Sequence, residues 1–120
     1  MRSRTRSDRA ALAAVVDVVC VLAFVVAGRR SHDEDSGIGG VLEVAAPFLI
    51  ALAVGWLVLR IWRRPTALSP AVGLWVVTVA LGLVLRRFAF DRGTAASFVI
   101  VATLVLGLLL LGWRLVARRR

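Results

Sequence analysis

Four long apolar stretches alternate with short charged ones along the chain: Ala10 to Ala27, Val41 to Trp62, Ala71 to Leu85 and Thr94 to Trp113. A helix rising ~1.5 Å per residue needs about 17–25 residues to cross a ~30 Å hydrocarbon core, so the first, second and fourth are long enough as they stand. The third is short. Extending it back to Leu68, and letting Arg86 snorkel with its stem in hydrocarbon and its head in water, completes a span. The pattern predicts an all-α integral membrane protein, four transmembrane helices in a compact bundle. The spans fall at about 10–28, 41–62, 68–86 and 94–114, within one domain over 10–113, between a basic segment 1–9 and a basic tail 115–120.

Inside the first span sits a carboxylate, Asp17. An ionisable group at that depth faces the bundle interior and pairs with something, or marks a pathway for ions or protons. Helical spacing puts Ala10, Ala13, Ala14, Asp17, Cys20, Val21, Phe24 and Ala27 on one side, with Val15, Val19, Leu22 and Val26 opposite. Helices associate in lipid through close approach at small residues, so the first face is expected inward and the branched face toward lipid. Each span also offers a small pair four residues apart as a packing seam: Ala23 and Ala27, Ala51 and Gly55, Thr78 and Gly82, Thr103 and Gly107. Continuing the last seam by about two turns reaches Arg114, which makes it the expected partner of Asp17. Arg60 is the weaker choice because it projects away from the Ala51 and Gly55 seam.

Composition agrees with lipid as solvent: 60% of residues are hydrophobic, against about 45–50% in soluble domains, and mean hydropathy is +0.87. The net charge of +9 comes wholly from arginine among the basic residues, a bias that suggests a GC-rich prokaryotic genome. No aromatic-interleaved basic surface accompanies it, which argues against nucleic acid. Eleven arginines fall on the side of the termini and the middle connection and five on the other, placing both termini in the cytoplasm of a cell membrane and disfavouring dual topology. The lone Cys20 excludes an intramolecular disulfide. Val19 before it does not suit a lipoprotein signal, and an apolar region longer than ~7–15 residues that carries Asp17 favours an uncleaved helix over a signal peptide.

All four tryptophans, Trp56, Trp62, Trp75 and Trp113, fall toward the cytoplasmic ends of their spans, and all five phenylalanines toward the outer ends. An interfacial belt of indoles, with phenyl rings as core filler, is the expected reading, and no substrate-caging aromatics are evident beside Asp17. A shift of 57 residues brings Arg29-Arg30 onto Arg86-Arg87, Gly55-Trp56 onto Gly112-Trp113 and Arg63 onto Arg120. Two duplicated helical hairpins fit these matches, and so does chance recurrence in a low-complexity apolar sequence.

Between the first two spans runs Gly28-Arg29-Arg30-Ser31-His32-Asp33-Glu34-Asp35-Ser36-Gly37. Consecutive side chains rarely converge on one ion and no second histidine exists, so a solvated loop with Arg29 at a headgroup phosphate is expected, not a metal site. Pro47 cannot donate to the Glu43 carbonyl. It either kinks the second helix, leaving Glu43 beside an exposed carbonyl near the His32 loop, or marks the start of that helix with Glu43 in the headgroup region; the second is preferred from sequence. Asp17, the Gly28-Arg29-x-Ser31-His32 string twelve residues on, and Pro47-Phe48 together resemble the prokaryotic membrane-protein family called domain of unknown function 3054, over about Ala13 to Arg114. The resemblance implies four spans and membrane location and singles out Asp17, Gly28, Arg29, Ser31, His32, Pro47 and Phe48; it brings no activity with it.

No nucleophile–base arrangement, phosphate loop or metal cluster is visible, so neither catalysis nor a cofactor is expected. The reading that needs fewest assumptions is a structural or interaction subunit of the cell membrane, its arginine-rich cytoplasmic side favouring anionic lipid headgroups. The rival is a small transporter or channel for a cation, a proton-coupled solute or a small cationic molecule using Asp17. It is similar to small multidrug-resistance transporters in length and in its first-helix acid, and four helices enclose so little volume that it would act as a homo-oligomer.

Overall fold

The computed structural model describes residues 6–31, 38–88 and 96–119. They form four helices, α1 Arg6–Ser31, α2 Ile38–Leu59, α3 Leu68–Phe88 and α4 Ala96–Arg119, with a short 3₁₀ turn at Ile61–Arg63. Each helix is long and apolar enough to span a bilayer, and the bundle measures 46 × 26 × 22 Å. Its long dimension matches the ~40–45 Å of a bilayer with its headgroup layers. The helices run up and down in a ring: α2 packs on α1 and α3, α3 on α4, and α4 closes against α1. The N-terminus of α1, the α2–α3 connection and the C-terminus of α4 therefore share one arginine-rich end.

Burial on α1 follows the expected division in part: Ala27, expected inward, is exposed, and Leu22 and Val26, expected toward lipid, pack against the core. Ala13, Asp17, Cys20, Val21 and Phe24 are buried, while Val15 and Val19 face outward. Three of the four small-residue seams are real: Ala51 and Gly55, Thr78 and Gly82 are buried, and Gly107 lies against the Trp75 indole. The fourth is not a seam, because Ala23 and Ala27 are exposed. Large side chains on α1, Val21, Phe24 and Val25, fill the interior at that level instead. The closest approach is between α2 and α3. A methyl group on Gly55 would come within 2.8 Å of the Leu74 Cδ1, and one on Gly82 would run into the Phe48 ring. Phe48 in turn meets Phe24 edge to face, centroids 5.9 Å apart at 82°, the arrangement favoured by the ring quadrupoles.

Several boundaries differ from the hydropathy pattern. Helix α2 begins at Ile38, nine residues before Pro47, so Pro47 lies inside the helix and the preferred helix-start reading is overturned. Pro47 is fully buried, and a single missing N–H is tolerated in a helix supported by neighbours. Helix α1 runs on to Ser31, so Gly28, Arg29 and Ser31 belong to its last turns and not to a loop. Helix α2 ends at Leu59, short of Trp62. Arg60 takes a left-handed conformation (φ 52°, ψ 50°), which costs about 1–2 kcal/mol in a residue with a Cβ, and burial of Ile61 immediately after it offsets that cost. Trp62 thus rides on the 3₁₀ turn, and α4 continues as helix through the expected tail to Arg119.

Candidate functional site

Asp17 lies in the interior with no exposed surface, and so does Arg114. The two meet as a parallel fork: Arg114 Nη1 donates to Asp17 Oδ1 at 2.9 Å and Nη2 to Oδ2 at 2.8 Å. This is the bidentate geometry in which a guanidinium matches a carboxylate, and it is the pair expected from the spacing along α1 and α4. Taking two charges out of water is costly unless their remaining donors and acceptors are also matched, and here the carboxylate is fully matched and four of the five guanidinium N–H groups have acceptors.

The matching comes from indoles. Trp56 Nε1 donates to Asp17 Oδ2 and Trp113 Nε1 to Oδ1, each at 2.8 Å. Each carboxylate oxygen therefore accepts two bonds, which uses all four lone-pair directions of the group. On the other partner, Arg114 Nε donates to the Pro65 carbonyl at 2.8 Å and Nη1 also to the Leu110 carbonyl at 3.0 Å. The guanidinium carbon sits 4.6 Å from the centre of the Trp113 ring, within cation–π range. One polar node thus ties α1, α2, α4 and the α2–α3 connection together at the arginine-rich end.

The tryptophans correct the sequence reading. Only Trp62, 39% exposed, fits an interfacial belt. Trp56 and Trp113 serve Asp17, and Trp75 Nε1 donates to the Thr103 carbonyl at 2.9 Å across the α3–α4 seam, while the Thr103 hydroxyl bonds back to the Val99 carbonyl at 2.7 Å. In hydrocarbon an indole N–H gains by turning inward to an acceptor, a choice that position along the helix does not reveal. The missed signal was the 57-residue shift, which superposes Trp56 on Trp113.

The other singled-out residues lie apart from this node. Phe48 is buried where α2 meets α1 and α3, eight residues before Trp56 and so ~12 Å further along the helix. Pro47 is buried beside it in sequence, and Glu43 is exposed on the same helix. Gly28, Arg29 and Ser31 end α1, and His32 falls outside the described residues. Arg60 is exposed, away from Asp17. Among the described residues no cluster of three His, Cys, Asp or Glu side chains could hold a metal.

No curated protein and no solved structure matches the chain. The family model described as a protein of unknown function, DUF3054, matches residues 14–117, a stretch that begins before Asp17 and ends after Arg114. The chain belongs to the DUF3054 family.

Proposed function

We propose that this multi-pass protein is a non-catalytic structural or interaction subunit of a prokaryotic cell membrane, with both termini cytoplasmic, and that Asp17 and Arg114 are its internal clamp. The observation that carries this reading is the saturation of the Asp17 carboxylate by four donors at 2.8–2.9 Å with no exposed surface. A carboxylate that carries protons or cations must release its partners in every cycle, and one held by a guanidinium fork and two rigid indoles resists that release. Eleven arginines on the side of the termini, against five opposite, support the orientation and an affinity of that side for anionic headgroups.

Cys20 supplies the test, being the only thiol, buried and three residues from Asp17 on the same face of α1. A charged, water-soluble thiol reagent applied to intact membranes is expected to leave Cys20 unmodified, with full labelling after denaturation. Rapid labelling without denaturant would mean that water reaches the Asp17 region, and would replace the clamp with a transport site.

A further inference from the structure

Beside the node, the surface between α1 and α2 is cut by a groove of about 480 Å³, within the ~300–1,000 Å³ range of ligand pockets. It runs from Leu49 to Leu57 along α2, opposite Ala14 and Val18 of α1, with Trp56 in its wall and Trp62 at the end nearest the α2–α3 connection. Leu57 is 68% exposed, so the groove opens sideways, toward the surrounding bilayer in a membrane-spanning chain. The wall is almost wholly apolar: its indole N–H groups are those of Trp56, already given to Asp17, and of Trp62, on the 3₁₀ turn at the groove's end. Such a wall offers water few partners and suits a hydrocarbon group.

Val18, where the second hairpin carries Trp75 57 residues on, keeps the α1 side of the groove small. Charge indicates which lipid would fill it. The turn that carries Trp62 also carries Arg60, Arg63 and Arg64, all exposed, and Arg9 is exposed at the adjacent end of α1, which packs against that turn. The one described carboxylate at this end besides the neutralised Asp17 is Asp8. We infer that the α1–α2 groove is a binding site for an anionic phospholipid, its acyl chain lying between Val18 and Leu57 against Trp56 and its phosphate held by the arginines of the Arg60–Arg64 turn.

The inference rests on the chain spanning a membrane, not on what Asp17 does, so it stands or falls separately from the thiol labelling. The full chain is reconstituted in vesicles of phosphatidylcholine containing increasing fractions of either phosphatidylglycerol or phosphatidylcholine brominated on the acyl chain, and tryptophan quenching is recorded. Wild type is expected to reach half-maximal quenching at a several-fold lower fraction of the anionic lipid, about five-fold for each fully engaged arginine, as expected from ~1 kcal/mol per basic residue at an anionic surface. Arg60→Gln, Arg63→Gln and Arg64→Gln combined should remove that preference. Ala53→Phe, at an exposed position lining the groove, should lower the quenching by both lipids while leaving folding intact. Equal curves for the two lipids in wild type would mean ordinary boundary lipid only and overturn the site. Quenching indifferent to Ala53→Phe would do the same, as would a loss of self-association in that variant, which would identify a second copy as the occupant.

Discussion

Trp56 and Trp113 stand 57 residues apart and donate to opposite oxygens of one carboxylate, Trp56 to Oδ2 and Trp113 to Oδ1 of Asp17, each at 2.8 Å. The same interval separates the ends of α1 and α3, Ser31 and Phe88. Each helical hairpin thus contributes one indole to a common acceptor. The charged members have no such counterparts: 57 residues from Asp17 is Leu74, and 57 before Arg114 is Leu57. The 57-residue interval thus relates the two indoles but not the charge pair they serve.

Breaking that pair from one side leaves a charge buried without its partner, which typically costs about 3–5 kcal/mol. Arg114→Ala should lower the melting temperature in detergent sharply. Asp17→Asn added to it should recover part of the loss, because the orphaned charge is gone. Denaturation of the two single variants and the double variant checks this, and strictly additive losses would show that the two side chains act independently.

Replacing an indole by phenyl keeps the ring and removes the N–H. Trp56→Phe and Trp113→Phe should each cost about 1.5–3 kcal/mol, the usual worth of a hydrogen bond to a charged group. Trp62→Phe, on the exposed 3₁₀ turn, should change stability by less than about 0.5 kcal/mol. Equal small effects at all three sites would return Trp56 and Trp113 to an interfacial belt.

Gly55 and Gly112 occupy matching places in the two hairpins but opposite surroundings. A methyl group at Gly55 would press on Leu74 and Val77, whereas nothing lies within 4 Å of one at Gly112. Gly55→Ala should therefore destabilise by roughly 1–3 kcal/mol through overpacking. Gly112→Ala should be neutral or stabilise by up to about 1 kcal/mol through lower backbone entropy in the unfolded chain. The two melting curves, compared side by side, test how tightly α2 and α3 meet.

Orientation can be read with a reporter active only in the cytoplasm, fused to either terminus. Both fusions are expected to be active. Abolishing the arginine majority, by replacing Arg60, Arg63 and Arg64 with glutamine and adding three arginines between α1 and α2, leaves eight on each side and should lower the activity of both fusions, since the positive-inside bias acts through short loops. Fusions active at only one terminus would contradict an even number of spans.

Much of this architecture is determined by sequence because a bilayer leaves a chain few options. Backbone groups in hydrocarbon must be satisfied within the segment, so long apolar runs become helices, and short connections make those helices antiparallel neighbours. Small residues and a lone acid on one face of α1 are enough to turn that face inward, and the spacing of Gly107 and Arg114 on α4 is enough to identify the partner of Asp17. What tertiary structure decided were contacts that hydropathy does not encode. Pro47 reads from sequence more readily as a helix start than as an interior residue, and only the assembled bundle, with Phe48 packed on Gly82 and Phe24, places it inside α2. Ala23 and Ala27 look like a seam, but larger neighbours on α1 fill the interior and leave them outside. Three indoles placed near an interface turn inward because their N–H groups find Asp17 and the Thr103 carbonyl there. Depth along a helix is written in one dimension of sequence, whereas a hydrogen bond between helices depends on the rotation and approach of both, which only the assembled bundle supplies.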